Sequence, residues 1–357
     1  MTKQEFLNVS APLAFAELIY YSRVKDTSIP NRYPIHSFGR IDSKHDHAVL
    51  EIYIPYMANQ LREAIKEGDS LRIQTYIAAL GNFGHRKILS IFEPYLEGKQ
   101  PVSKFQRLMM VGALAKVAET NPELAQSVLY KIYLNTMDAH EVRCMAVYLL
   151  MITNPPLAML QRMAKFTNYD ESKHVNSVVK NVIENLAKLK QPEWQELVNK
   201  ARIAKELLTP HKYGLKYSKS VIKNWSFASL DTVYKFIINT ISGDDSDIPK
   251  AAYYGADISY GGFNLPTMEN GYVISSIRQF FNMWDQTEQK EKKDRARGRL
   301  TVETIAQMLN IKPENLEQLE GNIFLNTMFG MQFYPFDNHT IEKITDSKYF
   351  SIYFIKY

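Results

Sequence analysis

Histidines and acids make up the side-chain groupings in this 357-residue chain that suit metal or acid–base chemistry. His36, His45, Asp46 and His47 fall within one short stretch. Imidazoles two residues apart in an extended segment can reach one ion, and a loop can bring His36 to it; zinc is the ion such a set would take. A polar surface loop carrying histidines accounts for the same residues. His140-Glu141-Val142-Arg143-Cys144 begins like the zinc-protease helix motif, but Cys144 stands where the second histidine belongs. It reads instead as a helix start, with Glu141 near the positive end of the dipole and Cys144 as a small buried hydrophobe. Asp244, Asp245 and Asp247 lack the glycine and distal glutamate of a calcium loop and read as a turn between strands. The sequence holds no Gly-x-Ser-x-Gly elbow, Walker A loop or Rossmann glycine fingerprint, so the chain is read as non-catalytic. Asn8-Val-Ser, Asn224-Trp-Ser and Asn338-His-Thr match the N-glycosylation sequon, about as many as chance supplies; they matter if the protein is secreted.

The elements around these residues repeat. Helix starts at Ser70, Ser103, Ala139 and Ser172 are spaced by 33, 36 and 33 residues. A second set at His85, Pro122, Pro156 and Glu193 interleaves at 37, 34 and 37. A period in the mid-thirties built from two short helices predicts a stack of helical hairpins, each burying its apolar face on its neighbours. The predicted helices are 71–80, 87–96, 104–120, 124–134, 141–153, 157–166, 173–190 and 194–208. Two short helices precede them, one opened by the Thr2/Glu5 capping box and one by Ser10 with Pro12. A helix ending at Gly68 follows the 25–48 loop, with Pro55 near its start or kinking it.

Thr209-Pro210 ends the helical region, and the pattern becomes β-type. Segments 233–241, 251–260, 272–277 and 329–336 are the strand candidates. Residues 286–299 contain no aliphatic side chain larger than alanine and read as a solvated, charged insertion. A short helix at 302–309 precedes the last strands. The fold class is therefore α+β: a two-layer, HEAT-like superhelix over 1–208, then an antiparallel β-sheet region over 209–357.

Net charge is +5 with the charges dispersed, which gives no ground for nucleic-acid binding. No apolar run approaches the ~20 residues a membrane span needs. The single cysteine excludes an internal disulfide. The first residues lack the apolar core of a signal peptide, so the chain reads as intracellular or as an internal piece of a longer protein.

Several stretches resemble the large lipid transfer protein family, in particular its insect vitellogenin branch. Residues 140–164 carry Glu141-Val142-Arg143 before an aliphatic helix, then Asn154-Pro155 and a second aliphatic helix. Residues 171–187, with Val175, Val178, Ile183 and Leu186-Ala187, are similar to the family's next helix. Ala79-Leu80-Gly81-Asn82-Phe83-Gly84-His85 matches the repeat before it, and 319–333 looks like its lipid-cavity sheet. These cover most of 1–345; residues 346–357 do not look like the family.

The resemblance implies a conical helical superhelix followed by the opening strands of a lipid-lined cavity. It implies lipid transport and yolk nutrient storage by a secreted glycoprotein that binds phospholipid or neutral lipid without catalysis. The partners implied are lipids, the remainder of the parent chain and a second copy in a homodimer. The family's signal peptide, receptor-contacting N-terminal β-barrel and C-terminal von Willebrand-type region are not recognised in the sequence. Strands with apolar residues on both faces fit one face on helices and the other on lipid. Val233, Phe236, Ile237, Ile238, Ile241, Ile323, Phe324, Leu325, Met328 and Phe329 are the lipid-facing candidates. An ordinary buried core explains these residues equally. The other function class is a cytosolic HEAT-like scaffold for protein partners; lipid extraction separates the two.

Overall fold

The computed structural model describes residues 3–23, 46–190, 194–227, 232–244, 246–260, 263–280, 319–327 and 330–340. Helix α1, Lys3–Arg23, runs straight through Pro12, where the sequence suggested two helices. Val9, Leu13, Ala16 and Tyr20 form one buried stripe that spans the proline, and packing on the third helix outweighs the lost N–H bond. A π-helical turn, Val49–Tyr53, leads into α2, Ile54–Glu67, with Pro55 in its first turn where its missing N–H costs little. Gly68 closes α2 in the left-handed conformation, φ 71°.

The hairpins follow. Their first helices are α3 (Ser70–Asn82), α5 (Lys104–Gly112, continued after a break by α6, Ala115–Thr120), α8 (His140–Ile152) and α10 (Lys173–Leu186). Their second helices are α4 (Lys87–Leu96), α7 (Pro122–Leu134), α9 (Leu157–Phe166) and α11 (Gln195–Lys205). Among the described residues no strand interrupts 70–208. The caps are local. Asp69 accepts from Arg72 N, Ser103 forms a full capping box with Gln106, and Ser172 accepts from Val175 N. Side by side, α3, α5, α8 and α10 make an inner layer, and the second helices pack outside it.

One apolar core runs through the whole array, from Ala16 to Ala204. Successive hairpins are also tied by charge. Arg107, four residues past its cap, reaches Asp138 at 2.5 Å just before α8. Arg143, four residues past the next cap, is fully buried and paired with Asp170 just before α10. Its Nε donates to the Tyr133 carbonyl at 2.9 Å, so the buried guanidinium is well satisfied. Cys144 is buried, and burial pushes its thiol far above the ordinary range, which keeps it inert.

Six antiparallel strands follow in chain order, each paired with the next: β1 Lys219–Phe227, β2 Thr232–Ser242, β3 Pro249–Tyr260, β4 Phe263–Ile274, β5 Glu320–Thr327 and β6 Gly330–Asp337. The predicted 286–299 insertion and 302–309 helix lie outside the described residues. The inner helices lie on the sheet, with α10 on β1, α8 on β2 and α3 on β6.

Candidate functional site: the two faces of the sheet

Antiparallel partners that stand opposite one another share a face, so the register sorts every described strand residue. Ser220, Asn239, Ile241, Ala251, Asn322 and Glu320 lie on the side of the helices. That contact combines an apolar part, where Ile222, Ile241, Ala251 and Val273 join the helical core, with a set of polar ties. Glu320, 5% exposed, accepts from Ser70 Oγ at 2.8 Å, Ser103 Oγ at 2.8 Å and Gln106 Nε2 at 2.9 Å. A buried carboxylate thus sits at the N-termini of α3 and α5, where the helix dipoles favour it. Asn322 Nδ2 donates to Gln74 Oε1 at 3.2 Å, and Gln74 Nε2 donates to the Phe336 carbonyl at 3.2 Å. At the other end Tyr148 Oη donates toward the Thr240 carbonyl at 2.8 Å, and Asn185 Nδ2 to the Ser220 carbonyl at 2.7 Å. Between them Lys235 lies 4.6 Å over the Trp194 ring and 3.5 Å from Asp257.

The opposite face is mainly apolar, with Lys223, Asn270 and Gln332 among its polar members, and faces away from the helices. It carries Val221, Trp225 and Phe227 on β1, Tyr234, Phe236 and Ile238 on β2, and Tyr254, Ile258 and Tyr260 on β3. Met268 and Tyr272 on β4, Ile323 and Leu325 on β5 and Tyr334 on β6 continue it. Trp225 is 52% exposed and Tyr260 61%. At one end Tyr272, Ile274, Ile277, Phe280, Ile323 and Phe336 line an apolar hollow of about 220 Å³. A contiguous apolar surface of this kind marks a binding face.

This alternation divides the residues singled out from the sequence. Phe236, Ile238, Ile323 and Leu325 lie on the open face. Val233, Ile237, Ile241 and Phe324 lie on the helix side, so they are corrected out of the lipid-facing set. Ile237 and Ile238 are neighbours in sequence and must point to opposite faces. Met328 and Phe329 fall outside the described residues, as do His36 and His45. His47 is exposed at the start of the helical run before α2. Asn8 is exposed on α1, Asn224 is half-buried on the helix side of β1, and Asn338 follows β6. Trp225, Phe227, Tyr254, Ile258, Met268 and Tyr334 are open-face residues that sequence reading missed. For Trp225, Phe227, Tyr254 and Ile258 the signal was the period of two in 219–227 and 251–260, which Ile222 and Lys223 obscure in β1.

A two-layer array of helical hairpins, packed and hydrogen-bonded through its inner layer to one face of an open antiparallel sheet, defines the class of protein. The family model described as the Vitellogenin TPR domain matches residues 1–184, and the one described as Vitellinogen, open beta-sheet, matches 216–352. The chain belongs to the vitellogenin family. Vitellogenin-1 of Solenopsis invicta is 54% identical over 343 residues, covering 96% of this chain and 21% of that protein. Vitellogenin-A1 of Aedes aegypti is 36% identical over 390 residues, covering 96% of this chain and 18% of that protein. This chain thus spans about a fifth of the relatives it matches. A solved structure described as "Lipid-protein interactions in lipovitellin" is similar in fold, with a TM-score of 0.69 at 15% identity, over 95% of this chain and 31% of that one. No helix among the described residues is long and apolar enough to cross a membrane.

Proposed function

We propose that this chain is a lipid-carrying segment of a vitellogenin-type lipoprotein, serving lipid transport and yolk nutrient storage without catalysis. One observation carries this: the sheet turns a mainly apolar face away from the helices, while its other face shares their core and is hydrogen-bonded to them. Acyl chains laid on Phe236, Ile238, Ile323 and Leu325 leave water at a gain of ~25 cal/mol per Å² of apolar surface. The helices brace the sheet from behind. Phospholipid and neutral lipid are both ligands of this chemistry.

The whole protein is secreted in this reading, with Asn8, the exposed sequon asparagine, as its accessible glycan acceptor. Residues 1–208 and 209–357 are its bracing and lipid-facing units. Its partners are the remainder of the parent chain, which continues the sheet at its edges, and a second copy of that chain. His36, His45 and His47 stay as zinc ligands to be tested by metal content after replacement. A cytosolic scaffold is the less favoured reading, because helical arrays that bind proteins need no sheet with an apolar free face.

The test is lipid extraction and mass spectrometry of the purified 357-residue chain, with a hydrophobic dye as second readout. Co-purifying lipid and strong dye binding are expected. A monodisperse, lipid-free and dye-silent monomer would count against the proposal.

A further inference from the structure

The open face is not uniform along its strands. Beside the last residues of β4 it deepens into the apolar hollow of about 220 Å³. Ile274, Ile277 and Phe336, with Leu319, form a small buried core separate from that of the helices. A glycine lets one wall lie low. The Phe336 ring lies over Gly321, its partner across the β5–β6 ladder, and a Cβ there would stand 2.2 Å from the ring. Tyr272 supplies the only polar side-chain group in the lining, and its Oη donates to the Pro249 carbonyl at 3.1 Å. Burial raises the Tyr272 pKa to about 12, so the phenol stays neutral. The hollow thus offers a ligand shape and dryness but no hydrogen bond.

Further along the same strands a polar pair breaks the apolar surface. Asn270 stands four residues before Ile274 on β4, and Gln332 four before Phe336 on β6. Leu325 of β5 lies between them in the register. Four residues span ~13 Å at ~3.3 Å each, and two strand spacings set the amides ~10 Å apart. Tyr334 Oη donates to Gln332 Oε1 at 3.0 Å, which leaves that amide's Nε2 hydrogens for an acceptor. Gln332 is exposed and Asn270 half-buried.

We propose that the hollow seats the end of one acyl chain of a bound lipid, whose ester lies between Asn270 and Gln332. This rests on the lipid-carrying reading above and gives it a register. An apolar cavity of ~150 Å³ takes benzene, so on that scale the 220 Å³ hollow takes roughly eight or nine chain carbons. The rest of a long chain runs over Ile323 and Leu325. One lipid leaflet holds ~15 Å of hydrocarbon, half of a ~30 Å bilayer core, close to the ~13 Å between Ile274 and Asn270. At that level the two amides can donate to an ester carbonyl as it leaves water. A head group placed in the hollow would lose its hydrogen bonds, so the polar end points the other way. Phospholipid and triacylglycerol both carry such an ester.

The experiment uses the full 357-residue chain in mild detergent with two lipids, a phosphatidylcholine and a triacylglycerol. Each carries a photoreactive diazirine on one acyl chain, either at the terminal carbon or beside the ester. After irradiation the labelled residues are mapped by mass spectrometry. Terminal-carbon label is expected on Ile274, Ile277, Phe280 and Phe336, and ester-proximal label beside Asn270 and Gln332. Labelling there by either lipid supports the site, and the lipid that labels names the source. Ile248→Trp, at a half-buried position in the lining, fills the hollow and should expel the terminal label while label elsewhere on the open face persists. Replacing Asn270 and Gln332 by Leu should scatter the ester-proximal label. Terminal label spread over Trp225, Tyr254 and Ile258 in the wild type, or unmoved by Ile248→Trp, would overturn the proposal and leave the lipid-carrying reading standing. No label from either lipid would overturn both.

Discussion

Leu150, inside the helical array, and Leu325, on the sheet, are the same side chain in opposite circumstances. Leu150 is wholly buried and is packed by protein on every side. Leu325 is half-buried, and its free side faces away from the helices. The array meets the sheet through a shared apolar core that takes in Ile241 and Ala251, and through serines, asparagine, glutamines and a tyrosine hydroxyl. The other face of the sheet keeps apolar side chains such as Trp225 and Leu325 clear of the helices. The sign of a face, not the apolar content of a segment, tells what will cover it.

Making the same substitution at both leucines tests that contrast most directly. Leu150→Asp buries an unpaired carboxylate and deletes core packing, and should cost on the order of 5 kcal/mol. Leu325→Asp should cost about 1 kcal/mol and instead weaken dye and lipid binding. Matched thermal melts with dye titrations check both; equal losses of melting temperature would erase the distinction. Next in size is Glu320→Ala. It strips the acceptor from Ser70, Ser103 and Gln106 and should cost about 2–3 kcal/mol. Faster proteolysis of the sheet before the helices would show that this carboxylate holds the two regions together.

A further effect belongs to the array alone and appears in acid. His85 sits between α3 and α4, where burial, reinforced by the Arg23 charge, lowers its pKa to about 4. The ring is neutral in the fold, with Nδ1 accepting from Lys87 N at 3.0 Å. The unfolded chain takes up the proton near pH 6.5, so this stabilisation is complete above 6.5 and is lost as pH falls toward 4. The loss should be on the order of 2 kcal/mol. Denaturant melts across that window should flatten in His85→Asn; an unchanged slope would move the acid sensitivity elsewhere.

The array was legible because its signals are local. Ser103 with Gln106, Ser172, and Asn121 before Pro122 each announce a helix within four residues. Pro12 misled because the packing that carries α1 past it comes from the distant α3. On the sheet the strands at 233–241 and 251–260 could be read, but their outward face could not. That face depends on which side the helices occupy, and the anchor, Glu320, lies 217 residues from Ser103. β1 was missed because Ile222 and Lys223 interrupt its alternation. His140 looked like a helix-start residue, and in isolation it is one. Its neighbour His174, whose ring stacks on it with centroids 4.4 Å apart, arrives only through tertiary structure.

The forward ties from Arg107 to Asp138 and from Arg143 to Asp170 have a consequence for how the array comes apart. Each tie belongs to two adjacent hairpins, so a hairpin can let go only by breaking its neighbour's bond as well. In a linear stack such nearest-neighbour coupling makes an internal break costly and an end break cheap. The array should fray like a zipper from its free flank, with the Arg143 hairpin among the last to exchange its amide hydrogens. Mechanical pull along the stack would then meet a series of discrete latches rather than one uniform spring.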